Sequence, residues 1–207
     1  NYYGGLGDGT DVYKNTPVQV FAKRNGVVQP LTNIVAVCGG DWHSAAVDSS
    51  GTVWRWGYDY YDAYEDSDYY YDRATPVTRV PASLDVACGA EFTLALARDG
   101  TVSSWGNNYF GQLGDGTDID SYPEGTTYSL QVQNLSGVSA IAAGYYHSLA
   151  RKSDGTIWRW GYSNYDAATE TDYYDPYPVQ VEGLTQVAGI GAGDWHSLAV
   201  RNDGTVL

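Results

Sequence analysis

Methionine is absent from the 207 residues, and phenylalanine occurs only three times. A chain without methionine reads as a mature segment or an excised part of a longer protein. Positive charge is scarce: 11 Lys and Arg stand against 25 Asp and Glu, for a formal net charge of −14. Nucleic-acid affinity comes largely from basic residues neutralising phosphates, so DNA, RNA and anionic membrane surfaces are excluded as partners. No run approaches the ~20 apolar residues of a membrane-spanning helix, which excludes insertion of that kind. Gly-x-Ser-x-Gly, a lysine-bearing phosphate loop, His-Glu-x-x-His and Cys-x-x-Cys are all missing. Without them the chain reads as non-enzymatic, with no catalytic residues and no cofactor.

What is abundant is glycine (25), tyrosine (20) and tryptophan (7). Average proteins hold ~7% glycine, so this chain is rich in tight turns. Glycine with aromatic and β-branched residues and few charges predicts an all-β protein. The high Tyr and Trp content points to a secreted or surface protein, and Asn134-Leu135-Ser136 is a glycan acceptor sequon.

The organising signal is internal repetition. Four segments share one pattern: GGDWHSAAVDSSGTVWRWG (39–57), GAEFTLALARDGTVSSWG (89–106), GYYHSLARKSDGTIWRWG (144–161) and GDWHSLAVRNDGTVL (193–207). Gly51, Gly100, Gly155 and Gly204 recur at spacings of 49, 55 and 49, and His43, Phe92, His147 and His196 keep the same spacings. Two markers in one register define a structural unit, and the repeats divide approximately as 1–57, 58–106, 107–161 and 162–207. Within a unit, two apolar runs flank a Gly turn, as in Ser148-Leu149-Ala150, Ser153-Asp154-Gly155 and Thr156–Trp160, which is a hairpin signal. Val138–Ala143 adds a strand upstream, and Pro178-Val179-Gln180-Val181 adds one downstream whose leading proline suits an edge. About four antiparallel strands per repeat make a propeller blade.

The runs AAGYYHSLA (142–150), DGTIWRWG (154–161) and NNYFGQLGDGT (107–117) resemble the regulator-of-chromosome-condensation repeat, and nearly the whole chain follows that pattern. The resemblance implies seven-bladed propellers, of which about four repeats are visible here. Both ends cut through a blade, so the chain is expected to be part of a larger propeller, with a self-closed four-bladed ring as the alternative. Exposed blade faces at cut ends would favour self-association. Members of that family include an exchange factor for a nuclear small GTPase and a β-lactamase inhibitor, but neither activity is carried over. The −14 charge argues against chromatin contact.

The three repeated histidines could converge as metal ligands, but the fourth repeat has Phe92 there, and a position that accepts Phe is a packing position. No metal is expected at them. Cys38 and Cys88 lie at equivalent places in successive repeats, where the others carry Ala143 and Ala192. A small buried residue is wanted there, and such positions on neighbouring blades are normally too far apart to bridge. Free, buried, inert thiols are expected.

The segments after Trp-Gly are where this chain departs from the family. NNYFGQLGDGT (107–117) keeps the family loop and NYYGGLGDGT (1–10) nearly keeps it. YDYYDAYEDSDYYYD (58–72) and YSNYDAATETDYYD (162–175) abandon it. Aligned on Trp-Gly, Gly111 becomes Asp62 and Asp166, Gly114 becomes Glu65 and Thr169, and Gly116 becomes Ser67 and Thr171. Glu and Thr resist positive φ, so these two loops need another backbone.

Tyrosine with small polar residues is the composition of paratopes. The candidate binding residues are Tyr58, Asp59, Tyr60, Tyr61, Asp62, Tyr64, Asp66, Asp68, Tyr69, Tyr70 and Tyr71 in the first loop. The second supplies Tyr162, Tyr165, Asp166, Asp172, Tyr173 and Tyr174. Trp42 and Trp195, each in Asp-Trp-His-Ser, join them if that turn faces the same side; packing at the blade end is the other reading. The function expected is a recognition module for a protein or glycan, whose loops read as naturally diversified or drawn from a library. Solvated acidic coils without a partner, loops that close contacts between subunits, and a building unit of an extracellular assembly are the alternatives. A Ca²⁺ reading rests on Asp59, Asp62, Glu65, Asp66, Asp68 and Asp72, although their spacing matches no EF-hand.

Overall fold

The computed structural model describes residues 1–62, 67–117, 130–166, 168–169 and 171–207, without side chains for 59–62, 67–69 and 165. Strands and turns make up all the regular structure described.

The first sheet holds β1 (Phe21–Arg24), β2 (Val27–Pro30), β3 (Ile34–Gly39), β4 (His43–Asp48), β5 (Val53–Asp62) and β6 (Ser67–Pro76), in the order β2-β1-β6-β5-β4-β3. Strands β3 to β6 form an antiparallel blade. The β1–β2 hairpin turns at Asn25-Gly26, both at positive φ, and attaches to β6 through one parallel bridge, Ala22 to Ala74.

Blade II is β7 (Ser83–Cys88), β8 (Phe92–Ala97), β9 (Val102–Gly106) and β10 (Leu130–Gln131). Blade III is β11 (Val138–Ala143), β12 (His147–Lys152), β13 (Ile157–Asp166) and β14 (Thr171–Gln180), whose proline-bearing strand lies at the edge as expected. The last sheet pairs β15 (Val187–Ala192) with β16 (Ser197–Arg201).

The hairpin between the second and third strand of each repeat is held by one device. In three repeats the Asp before the glycine accepts from both the N–H and the hydroxyl of the following Thr, as Asp99 does from Thr101 at 3.0 and 2.7 Å. These bonds hold the Asp99 and Asp154 carboxyls below the usual carboxylate range. In the first repeat Ser50 stands at that position, and Asp48 two residues earlier accepts from Ser50 and Thr52 instead.

The first strands gather along one line: β3 packs on β7, β7 on β11 and β11 on β15. That line is the inner wall of a partial propeller, and the blades stack face to face outward from it. Ala45, Val47 and Val53 of blade I meet Val86, Ala95 and Trp105 of blade II. Phe92, Leu94 and Val102 of blade II meet Ile141, Ala150 and Trp160 of blade III. Every residue of β8 is buried because both of its faces are covered. Strands β3 and β16, at the two ends of the arc, expose Val35, Val37, Leu198 and Val200.

One expectation is corrected. Cys38 and Cys88 form a disulfide, with their Cα atoms 5.5 Å apart. The cysteines are separated by 50 residues, one more than the 49 of the repeat. In the repeat register Cys38 corresponds to Ala87, and Cys88 lies one residue further on. A one-residue step along a strand turns a side chain to the opposite face. Cys38 therefore faces forward and Cys88 faces back, into the same gap between blades I and II.

Candidate recognition site

The loop after a Trp-Gly strand takes two forms. In 107–117 it folds back over the next blade. The Gln112 carbonyl accepts from Trp160 Nε1 and Ser148 Oγ, both at 2.8 Å, and Leu113 is buried in the core. Asn108 braces the loop from within, accepting from Leu113 N–H and donating to Thr117 Oγ1. Gly111 (φ +72°) passes so close to Pro176 that a Cβ would sit 2.7 Å from its Cα. Residues 1–10 do the same to blade I. The Gly5 carbonyl takes Trp56 Nε1 at 2.8 Å and Ser44 Oγ at 3.2 Å, and Gly4 (φ +70°) lies against Asp72.

Within the segments 58–72 and 162–175 the described residues form β-ribbons, where the sequence suggested long loops with a backbone of their own. Strand β5 continues past Gly57 and pairs Tyr58 with Tyr70, Tyr60 with Tyr69, Tyr61 with Asp68 and Asp62 with Ser67. Strand β13 pairs Tyr162 with Tyr174, Asn164 with Tyr173, Tyr165 with Asp172 and Asp166 with Thr171. Both ribbons have an irregularity at the same place, between Tyr58 and Tyr60 and between Tyr162 and Asn164. Such a bulge re-aims the strand beyond it. The ribbon bases are tied to the turn before the histidine strand: Tyr58 N–H bonds the Trp42 carbonyl and Tyr162 N–H bonds the Tyr146 carbonyl, each at 2.9 Å.

The first bond puts Trp42 on the ribbon side, and Trp195 meets the second ribbon through its ring contact with Tyr162; the two tryptophans are 51% and 62% exposed. Two aromatic boxes result. In the first, Tyr3 is at the centre, with Tyr58 at 5.0 Å, Trp42 at 5.7 Å and Tyr70 at 6.4 Å between ring centroids. In the second, Phe110 is at the centre, with Tyr146 at 5.1 Å, Tyr162 at 5.2 Å and Tyr174 at 6.5 Å. Trp195 extends the second box, stacked on Tyr145 at 5.4 Å and edge-on to Tyr162 at 5.6 Å.

The turns form a backbone chain from blade to blade: Asp41 N–H to Ala90 O, Ala90 N–H to Tyr145 O, and Tyr145 N–H to Asp194 O. Exposed acids Asp41, Glu91 and Asp194 therefore lie among the rings. A hydrogen bond to Asp41 raises the Tyr145 phenol pKa above its usual value. Burial first, then the charges of Glu91 and Asp41, raise that of Tyr146.

Other candidates separate from this face. Tyr71 supports Arg55, which donates to its hydroxyl at 3.2 Å and lies over its ring. Tyr173 is exposed, and Asp166 caps Ala168 N–H at 2.8 Å. Tyr64 and Asp66 lie outside the described residues, as do the side chains of Asp59, Tyr60, Tyr61, Asp62, Asp68, Tyr69 and Tyr165. Most of the carboxylates of the Ca²⁺ reading are among these, and Asp72 pairs with Arg73 at 2.7 Å. Among the described residues no three His, Cys, Asp or Glu groups converge as a metal site.

The histidines bridge blades: His43 Nε2 meets Thr93 Oγ1 at 2.9 Å and His147 Nε2 meets Ser197 Oγ at 3.1 Å. Burial lowers the His43 pKa to about 4 and lowers that of His147. The residues missed by sequence reasoning are the box centres, Tyr3 and Phe110. Their signal was their shared place just before the loop glycines Gly4 and Gly111.

The pattern described as "Regulator of chromosome condensation (RCC1) repeat" matches residues 1–47, 84–112, 99–151 and 138–166. The human E3 ubiquitin-protein ligase HERC2 is 35% identical over 61% of this chain, which spans 3% of HERC2. The secretion-regulating guanine nucleotide exchange factor of Bos taurus is 32% identical over 78% of this chain, which spans 34% of it. The crystal structure of human WBSCR16 superposes on the whole chain with a TM-score of 0.74 at 21% identity, the chain covering 54% of it. The chain thus spans about a third or less of these curated relatives, and the likeness to WBSCR16 is one of fold. With the blades, the Asp-Gly-Thr hairpins and the loop latches all in register, the chain belongs to the regulator of chromosome condensation repeat family.

Proposed function

We propose that this chain is a non-enzymatic protein-recognition module whose contact surface is the ribbon side of the blades. The observation that carries this reading is the convergence of both ribbons with exposed Trp42 and Trp195 on one side of a rigid stack of sheets. Large amphipathic rings on rigid elements give contact area at small entropic cost. The ligase and exchange activities in the relatives' names belong to proteins of which this chain spans a minor part, and they are not carried over. The Cys38–Cys88 disulfide supports a secreted or surface setting, since such bonds persist in oxidising compartments.

The test trims each ribbon above the Tyr58–Tyr70 and Tyr162–Tyr174 rungs and closes it with Asn-Gly. Wild type and trimmed protein are compared for capture of proteins from an extract and on a glycan array. A protein held by wild type and lost on trimming, at unchanged melting temperature, supports the reading. Glycan binding in place of protein binding redirects it to the carbohydrate ligand. If trimming changes only self-association, the chain is a building unit of an assembly. Sedimentation of wild type across concentration measures that second reading directly.

A further inference from the structure

Resting on that reading, we infer that the aromatic face receives a cationic segment of a partner protein, its Arg or Lys side chains seated on the two aromatic boxes between Asp41, Glu91 and Asp194. The argument is one of charge and shape. Aromatic faces carry negative electrostatic potential and attract cations, most strongly when carboxylates stand nearby. The second box presents Trp195 stacked on Tyr145, with Tyr146 and Tyr162 edge-on around it. The first presents Trp42, Tyr58 and Tyr70 around Tyr3.

The blade-to-blade backbone bonds of Asp41, Ala90, Tyr145 and Asp194 place exposed carboxylates in the same row as the rings. The nearby cations of the blades are engaged below this face. Arg55 lies over Tyr71, and Arg159 pairs with Asp175 at 2.7 Å. Elsewhere the protein itself shows the geometry a ligand would adopt: Arg24 rides 4.8 Å from the Trp54 centroid and Lys152 5.4 Å from Trp158. The chain as a whole, at −14, attracts such a segment from a distance. An acidic segment would meet only repulsion, and a neutral sugar would leave the carboxylates without a matching charge.

The experiment titrates the intact chain with an Arg/Lys-rich peptide, the same peptide with citrulline and acetyl-lysine in place of the cations, and a neutral oligosaccharide, following tryptophan fluorescence. The basic peptide is expected to bind at least about tenfold more tightly than its neutral twin. Its affinity should fall on raising salt from ~0.05 to ~0.5 M, as screening shortens the reach of the charges. Trp195→Ala should weaken it about five- to thirtyfold, the range of one cation–ring contact. Asp41→Asn with Glu91→Gln should weaken it as well. Asp203→Asn with Glu182→Gln removes the same charge at the hairpin end of the blades, opposite the face, and should leave binding nearly unchanged.

Equal binding of the basic and neutral peptides overturns the inference, and that comparison needs no variant to fold. So does an equal loss from the two pairs of acid substitutions, which would show general attraction to a negative chain. If the peptide results are negative while ribbon trimming still abolishes capture of a protein, the recognition reading stands and the cationic partner falls. Preference for the oligosaccharide overturns both.

Discussion

Blades I and III differ from blade II in what they do with the chain after Trp-Gly. Blade II sends 107–117 back over its neighbour, where the Gln112 carbonyl satisfies Trp160 and Ser148. Blades I and III send theirs outward as ribbons. Among the described residues the blade that follows a ribbon receives no such carbonyl, and its hydroxyl is used differently. Thr93 and Ser197, the counterparts of Ser44 and Ser148, bond to His43 and His147 of the blade before. Blade II, whose own loop does the latching, carries Phe92 at the histidine position. Histidine goes with a ribbon and phenylalanine with a latch, so the structural period is two blades, 104 residues, rather than one. The joint between blades I and II is held by a histidine and a disulfide, and the joint between II and III by a loop and a larger apolar core.

The largest expected effect breaks the first joint alone. Cys38→Ala with Cys88→Ala should cost about 2–4 kcal/mol, since the bridge closes a loop of some fifty residues, and reduction should do the same. Chemical denaturation with and without reductant measures it. Hydrogen exchange should show the loss at β3 and β7 and not at β11.

Next comes pH. The native His43 pKa, about 4, lies below its unfolded value, so the unfolded chain takes up the proton first as pH falls. Stability is complete above pH ~6.5 and drops between there and ~4, by up to ~3 kcal/mol. His147, lowered by burial as well, acts in the same direction. His43→Phe, which copies blade II, should flatten most of this slope in melts run from pH 4 to 7.

A third comparison sets latch against ribbon. Gly111→Ala forces a Cβ against Pro176 at positive φ and should cost about 1–3 kcal/mol. Asp62→Ala, at the aligned position on the ribbon, should change stability by less than ~0.5 kcal/mol. Ser148→Ala falls between the two, at about 1 kcal/mol, because Gln112 keeps its bond from Trp160. Thermal melts of the three variants side by side rank these effects.

Much of this was legible in residue order. Gly51, Gly100, Gly155 and Gly204 mark hairpins whose local chemistry, Asp and Thr around a positive-φ glycine, is complete within a few residues. The replacement of Gly114 by Glu65 and Thr169, and of Gly116 by Thr171 in the second segment, announced a changed backbone. That the change was a ribbon was hidden, because Asp is a poor strand former and the segments carry no Asn-Gly signal. The box centres were hidden too. Tyr3 and Phe110 sit in loops whose own sequence ties them to glycine turns, and only the packing of each loop on the next blade brings Tyr58, Tyr70, Tyr162 and Tyr174 around them.

The sequence by itself determined the repeat, its strands and its turns, since these depend on side chains within a few positions of one another. The tertiary structure decided the disulfide, the histidine bridges and the aromatic face. Each depends on which way a side chain faces across the gap between blades, and one residue of offset along a strand, as between Cys38 and Cys88, reverses that direction.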